Sequence, residues 1–390
     1  MPLIQNRSLK LKFSDLQKID RNFLYSLLMV LFFGLLMVYD ASVFYAAQNF
    51  EFKYHFFILQ MGWIIVGLTL AFTVSIIDLY FFKDKANIIF ILAIVLLIIV
   101  LLPTPFAPEI YGARRWLFIN PNPLPKLPLL GIVGFQPSEF AKLAGIIFGA
   151  AFFSSSKFKK ENIAATSRNF IFIVFFMAIL IAEEPDFTTA FITTVILLSI
   201  AYFAYTPFKT FLMIVVPAFV GAAIYAASSP YRMERIMTLF KPEEIDKLGA
   251  GYHIRQIMIA LGSGGLWGLG FGNSRQKYAY LPEVIGDSIF AVIGEEFGFL
   301  GSIVLISLYG FIIWRCFYIA EHSKTKFGEL LAKGVGAWFA FQVVINLLSM
   351  VRLMPLTGVP LPLVSYGGSS TIFMLIGIGL VMNVSKDLKK

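Results

Sequence analysis

FFILQMGWIIVGLTLAFTVSII, residues 56–77, contains no charged side chain. A helix needs about 20 apolar residues, at ~1.5 Å each, to cross the hydrocarbon core of a bilayer. This stretch is long enough. Similar runs occupy 22–39, 187–208, 210–231, 297–314, 334–351 and part of 353–385, with a slightly shorter one at 86–102. Two further segments need tolerance: 138–153 carries Lys142, and 169–182 stops at Glu183 and Glu184. Together they predict an all-α polytopic membrane protein with ten transmembrane helices, a single membrane domain over residues 1–390.

Composition agrees with that reading. Of 390 residues, 58% are hydrophobic and 14% charged, against about 45–50% and about 25% in a soluble domain. Such a chain cannot keep its surface in water, and it is too apolar to be disordered. One cysteine, Cys316, excludes an intrachain disulfide and a cysteine metal site, and the histidines 55, 253 and 322 form no ligand-spaced motif. The net charge of +9 does not call for nucleic acid, because the positive residues follow membrane topology.

Lys and Arg in short connections set orientation. With the basic segment 1–21 inside, the cytoplasmic connections receive Lys83, Lys85, Lys157, Lys159, Lys160, Arg168 and Lys209. Arg315, Lys324, Lys326, Lys333 and the tail 386–390 follow. Short outer connections receive only Lys53, Arg114, Arg115, Lys126 and Arg352. Both termini are expected in the cytoplasm. Two extracytoplasmic loops are long, 103–137 and 228–286, and long loops are usually functional. The second holds an amphipathic stretch, 231–240, suited to the membrane interface. It also holds six glycines between Gly262 and Gly272. These lack the strand–turn–helix context of a dinucleotide site.

Ionisable residues at membrane depth are expensive and therefore candidates for function. Glu139 and Lys142 share one helix face, as a structural ion pair or with Lys142 receiving an anionic ligand. Glu183, Glu184 and Asp186 surround Pro185 at a helix junction, as helix-end chemistry or as a cation or substrate site. Glu283 and Asp287 lie where the second long loop meets the next helix. Asp287 reads either as a helix cap or as a general base, since burial among apolar neighbours can raise a carboxyl pKa to a useful value. Glu295 and Glu296 sit two turns deeper, and at least one should face protein. Finally, 355–370 breaks an apolar stretch with three prolines and three glycines. Non-helical backbone at that depth must be buried in protein or line a cavity. The hydroxyls of Ser365, Tyr366 and Ser369 there suit sugar or phosphate contacts.

Five segments in order, GARRW (112–116), QPSEFAKL (136–143), EEPDFTT (183–189), LPEVIGDSIFAVIGEEFGF (281–299) and LTGVPLPLVSYGGSS (356–370), resemble the SEDS family of bacterial cell-wall proteins. That family comprises FtsW, RodA and SpoVE. The resemblance covers nearly the whole chain and is closer to the FtsW branch in GARRW and in 262–283, but closer to the RodA branch in TGVPLP. It implies a ten-helix bundle in the bacterial cytoplasmic membrane and a peptidoglycan glycosyltransferase that polymerises lipid II into β-1,4 glycan strands. Asp287 matches the family's essential outer-loop aspartate. Ser288 departs from the Phe common at the next position, and is expected to alter packing around the site rather than its chemistry, with a changed pKa of Asp287 as the alternative.

An α-linked donor giving a β-linked product requires inversion, with one base and an activated pyrophosphate leaving group. Asp287 is the expected base. Arg114, Arg115 and Lys142 are candidates for the departing charge, and a divalent cation (Mg2+ or Mn2+) could assist. Glu139, Asp186, Glu283, Ser365, Tyr366 and Ser369 complete the expected substrate-binding set. Implied partners are lipid II, the growing lipid-linked strand, a class B penicillin-binding protein, and divisome or elongasome membrane proteins. The alternatives are a lipid II flippase and a non-catalytic scaffold. A flippase should line a path through the bilayer, and a dead scaffold would have lost the aspartate.

Overall fold

The computed structural model describes residues 18–50, 52–110, 112–121, 124, 133–155, 163–204, 212, 216, 250–278 and 280–388. Its helices are α1 (Arg21–Asn49), α2 (His55–Ile76), α3 (Leu79–Leu101), α4 (Pro137–Phe153), α5 (Ile163–Ala182) and α6 (Phe187–Phe203). They continue with α7 (Ala250–Gly264), α8 (Ile289–Glu321), α9 (Lys326–Met350) and α10 (Gly368–Ser385). The run expected at 210–231 and the amphipathic stretch at 231–240 lie outside the described residues, apart from isolated positions 212 and 216. Among the described residues, α1, α2, α3, α8, α9 and α10 are long and apolar enough to cross a membrane.

Local chemistry sets the helix starts. Asp20, Asp78, Asp186 and Thr325 each accept a backbone N–H of the first turn of α1, α3, α6 and α9. Pro137 opens α4 with Glu139 in its first turn, where a missing N–H costs nothing and a negative charge is favoured.

Several helices outrun the uncharged stretches that predict them, and in α1, α8 and α9 the charges taken in are paired or hydrogen-bonded. α1 passes through Asp40, which is buried. α9 starts at Lys326, with Glu329 held by Lys326 at 3.1 Å and Lys333 at 2.8 Å. α8 starts at Ile289, beside the Asp287 junction where the loop is expected to meet the helix and ahead of the uncharged run at 297, and kinks at Gly298.

The bundle is apolar on its outer face and keeps its buried charges within. Phe32, Phe172 and Val304 are each about two-thirds exposed, whereas Lys142, Lys277, Glu295 and Glu296 are buried. Leu27, Ile146, Ile196, Ile200, Trp338 and Val381 form part of one continuous core. Helix α10 packs closely on α2: a Cβ on Gly379 would stand 2.4 Å from the Ala71 carbonyl oxygen. Small residues permit such approach between spanning helices. A two-stranded ribbon, β1 (Leu117–Phe118) antiparallel to β2 (Gly134–Phe135), brings the first long loop back to α4.

The glycine-rich stretch after α7 acquires a structural purpose. It folds against the α8 kink, with Leu269 N and Gly270 N donating to the Glu295 and Glu296 carbonyls at 3.0 and 2.9 Å. Gly268 has φ +81, and a Cβ there would lie 2.1 Å from the Glu296 carbonyl oxygen. Gly268→Ala combines that clash with about 1–2 kcal/mol of left-handed backbone cost. It is expected to lower the thermal midpoint in detergent by more than about 5 °C. Gly262→Ala, whose Cβ meets nothing within 4 Å, should leave the midpoint unchanged or slightly raised.

Candidate active site

The site is built on the irregular segment between α9 and α10. Its backbone cannot turn to water, and side chains from the surrounding helices serve it instead. Asn346 donates to the Val359 carbonyl at 2.8 Å, Gln342 to Pro360 at 3.2 Å, and the Tyr309 hydroxyl to Pro362 at 2.7 Å. Gln60 donates to the Ser365 carbonyl at 3.3 Å and accepts from Gly367 N at 3.2 Å. Ser365, expected at the substrate, is buried and accepts from Leu361 N at 2.8 Å. It closes the turn.

That segment fixes the one carrying Asp287. Tyr366 N donates to the Ile285 carbonyl at 2.8 Å, and Asn346 donates to the Asp287 carbonyl at 2.9 Å. The Glu283 carbonyl accepts from Gly286 N and Ser288 N, with Glu283 itself at φ +48, a strained value for a non-glycine residue. Asp287 is 9% exposed, and the cap position of α8 belongs to Ser288, so Asp287 stands just outside the helix. Ser288 does more than alter packing. Its hydroxyl lies 3.3 Å from Asp287 Oδ1 and 2.6 Å from His253 Nε2 on α7.

A second group gathers where α4, α6 and α10 begin. Gln136 N donates to Ser369 Oγ at 3.0 Å, and its side-chain amide donates to Asp186 Oδ2 at 3.0 Å. Asp186 also caps α6 through Thr189 N at 3.1 Å. Arg115 donates to the carbonyls of Glu184 and Pro185. Lys142, 2% exposed, pairs with Glu139 at 2.7 Å and lies 5.2 Å from the centre of the Trp338 ring. Arg114 stands apart, 3.6 Å from Glu109 and about a third exposed. Tyr366 of the first group and Ser369 of the second flank the start of α10 and bring the two groups to the same end of the bundle.

Between α1, α8 and the segment after α7 lies a buried ionic network. Lys277 Nζ is 2.7 Å from Asp40 Oδ1 and 3.0 Å from Glu296 Oε1. Glu295 accepts from Arg275 N at 3.1 Å, Gln276 N at 3.3 Å and the Ser274 hydroxyl. Both glutamates face protein. Burial acts to lower the Lys277 pKa, but hydrogen bonds and charge from Asp40 and Glu296 outweigh it and hold the pKa above its ordinary value.

Sequence reasoning missed Asn346, Gln342, Gln60, Asp40, Lys277 and His253. The amides were visible as polar residues inside apolar runs. Asp40 and Lys277 gave no signal of each other across 237 positions. Among the described residues, no three His, Cys, Asp or Glu side chains lie close enough to hold a metal ion. A cavity of about 110 Å³ at the opposite end is lined by Lys83, Lys324, Lys326 and Lys386 among others. None of the expected site residues lines it.

An apolar exterior, membrane-crossing helices and a polar site gathered at one end define a multi-pass membrane protein. The family profile for FtsW, RodA and SpoVE, described as cell cycle protein, matches residues 20–390. The chain belongs to this family. It is 35% identical to stage V sporulation protein E of Bacillus subtilis (strain 168), over 92% of this chain and 94% of that one. It is also 35% identical to a probable peptidoglycan glycosyltransferase FtsW of Thiomicrospira cyclica, over 96% and 94%. Among solved structures, one describing the structural coordination of polymerization and crosslinking by a peptidoglycan synthase complex aligns with TM-score 0.73 at 26% identity, covering 94% of this chain and 97% of that one. Thermus thermophilus RodA shares the fold with TM-score 0.66 at 24% identity, over 95% and 98%.

Two predictions follow from the buried charges. Lys277→Met leaves Asp40 and Glu296 unpaired and should cost about 3–5 kcal/mol of stability, read by denaturant or thermal unfolding in detergent. Asp40→Asn, which keeps the Lys277–Glu296 pair, should cost less.

Glu184, 0% exposed at the α5–α6 junction, has its pKa raised to about 9 by burial and by Asp186, against partial lowering from Arg115 and Ser138. The unfolded chain releases this proton near 4.5. Folded protein therefore binds more protons between those values, and stability falls as pH rises through the interval, by up to about 1.4 kcal/mol per unit. Glu184→Gln should flatten that slope in thermal melts across about pH 5–9.

Proposed function

We propose that this protein is a peptidoglycan glycosyltransferase that polymerises lipid II into β-1,4-linked glycan strands, with Asp287 as general base. The observation carrying the reading is the placement of Asp287: nearly buried, just outside the start of α8, its backbone clamped by Asn346. A base must be held in one place to take the proton of the attacking hydroxyl as the glycosidic bond forms. The acceptor is the GlcNAc 4-hydroxyl, the donor carbon is MurNAc C1, and undecaprenyl pyrophosphate leaves from the opposite face.

The departing pyrophosphate needs positive charge. Arg114 is assigned that contact, being partly exposed and only loosely paired. Arg115 and Lys142 are engaged by protein groups, so they hold the site floor in place together with Glu139, Asp186 and Ser369. Glu283, Ser365 and Tyr366 shape the wall beside the base.

In the same reading the chain makes ten spans in the bacterial cytoplasmic membrane, with both termini inside. The long loops 103–137 and 228–286 then lie outside with the active site. Supporting this, Lys83, Lys324, Lys326 and Lys386 meet around one cavity at the end away from Asp287, as the positive-inside rule demands. A single-span class B penicillin-binding protein is the proposed partner, with divisome or elongasome proteins around the pair.

Purified protein with its transpeptidase partner, fed lipid II and run on a glycan-strand gel, tests the assignment. Wild type should polymerise, while Asp287→Ala and Asp287→Asn should fall at least about 100-fold with unchanged folding. Polymer from all three would remove Asp287 as the base. Lipid II translocation in liposomes without polymer from wild type would make the protein a flippase.

A further inference from the structure

We propose that His253 is a positioning residue for the candidate base, acting through the Ser288 hydroxyl. The inference rests on the assignment of Asp287 above and deepens it. Ser288 Oγ lies 3.3 Å from Asp287 Oδ1 and 2.6 Å from His253 Nε2, and Ser288 has no exposed surface. Water cannot take the place of either contact. A serine hydroxyl has one proton. With that proton given to the ionised Asp287 carboxylate, the short contact to His253 requires the imidazole to donate its Nε2–H. The chain of donation therefore runs His253 Nε2–H to Ser288 Oγ–H to Asp287 Oδ1.

Backbone and side chain of Asp287 are thus fixed from different directions. Asn346 holds the Asp287 carbonyl, and the Glu283 carbonyl accepts from Ser288 N, but neither of these bonds sets the rotation of the carboxylate. The serine–histidine chain reaches the carboxylate itself, at Oδ1. A hydroxyl already polarised by one donor is a stronger donor to the next group, so His253 strengthens the bond that orients the base. His253 sits on α7 and Ser288 caps α8. The geometry of the carboxylate consequently depends on how these two elements dock, and the glycine-rich segment packed on the α8 kink sets that docking.

A purely structural tie between α7 and α8 would also use this hydrogen bond, so the test must separate the two. Full-length protein with its transpeptidase partner is assayed for initial rate against lipid II concentration, with a thermal melt for each variant. His253→Ala and Ser288→Ala should each lower kcat about tenfold, with KM for lipid II within about twofold. His253→Gln, whose side-chain amide can donate in place of Nε2–H, should recover most of that loss. The double variant should be no slower than Ser288→Ala alone, because both act through one chain.

Wild-type kcat in both single variants, while Asp287→Ala is inactive, overturns the inference and leaves the base assignment intact. Multiplicative loss in the double variant, or a fall in kcat that tracks the melting temperature with no rescue by Gln, overturns it as well. If His253→Ala does not fold, Ser288→Ala and His253→Gln decide the matter: both at wild-type kcat refutes it. Activity in Asp287→Ala removes the base assignment and the positioning role together.

Discussion

The structure depends on a constraint the bilayer imposes: backbone amides and carbonyls at membrane depth must be satisfied by protein. Between α9 and α10 the chain abandons helix for a proline-rich path. Asn346, Gln342, Tyr309 and Gln60, from three different helices, take up the carbonyls that result. Each of these groups would be costly to bury alone. Together they turn an irregular segment into a rigid platform, on which the Asp287 segment and the start of α10 are then fixed.

The same economy governs the charges. Lys277 joins Asp40 on α1 to Glu296 on α8, while Glu295 collects backbone N–H groups from the turn at 274–276. Lys142 is consumed by Glu139, and Arg115 by two carbonyls. Such pairs are weak evidence for net stability but costly to break on one side. Here they fix the relative positions of elements whose apolar contacts are non-directional. Arg114, in the first long loop, is about a third exposed and only loosely paired with Glu109.

Much was legible in the chain. Uncharged runs gave the places of α1, α2, α3, α6, α8, α9 and α10, because a bilayer-crossing helix must be apolar on its outside for its whole length. The ends of two helices differ from the expected ones where a charge belongs to the helix: Asp40, Lys326 and Glu329 stand outside the expected runs and all lie inside helices, whereas Glu295 and Glu296 lie two turns into α8 as expected. A charge looks like a stop until its partner is known. The residues singled out at 112–116, 136–143, 183–189, 281–299 and 356–370 drew notice for the opposite reason, being polar or irregular where apolar helix was expected.

The sequence alone determined membership of the membrane class, the positions of most spans and the residues out of place in an apolar setting. These are local properties of composition and length, and lipid reads them directly. Only tertiary structure decided which polar residues meet. It placed Gln136 between Ser369 and Asp186, carried Asn346 to Asp287, and set His253 against Ser288. Partners distant in sequence are chosen by helix packing, and packing follows the shape of the whole core rather than any one segment. For that reason Ser288, which in sequence was a change of packing beside the aspartate, became in the folded protein the link between Asp287 and a histidine on another helix.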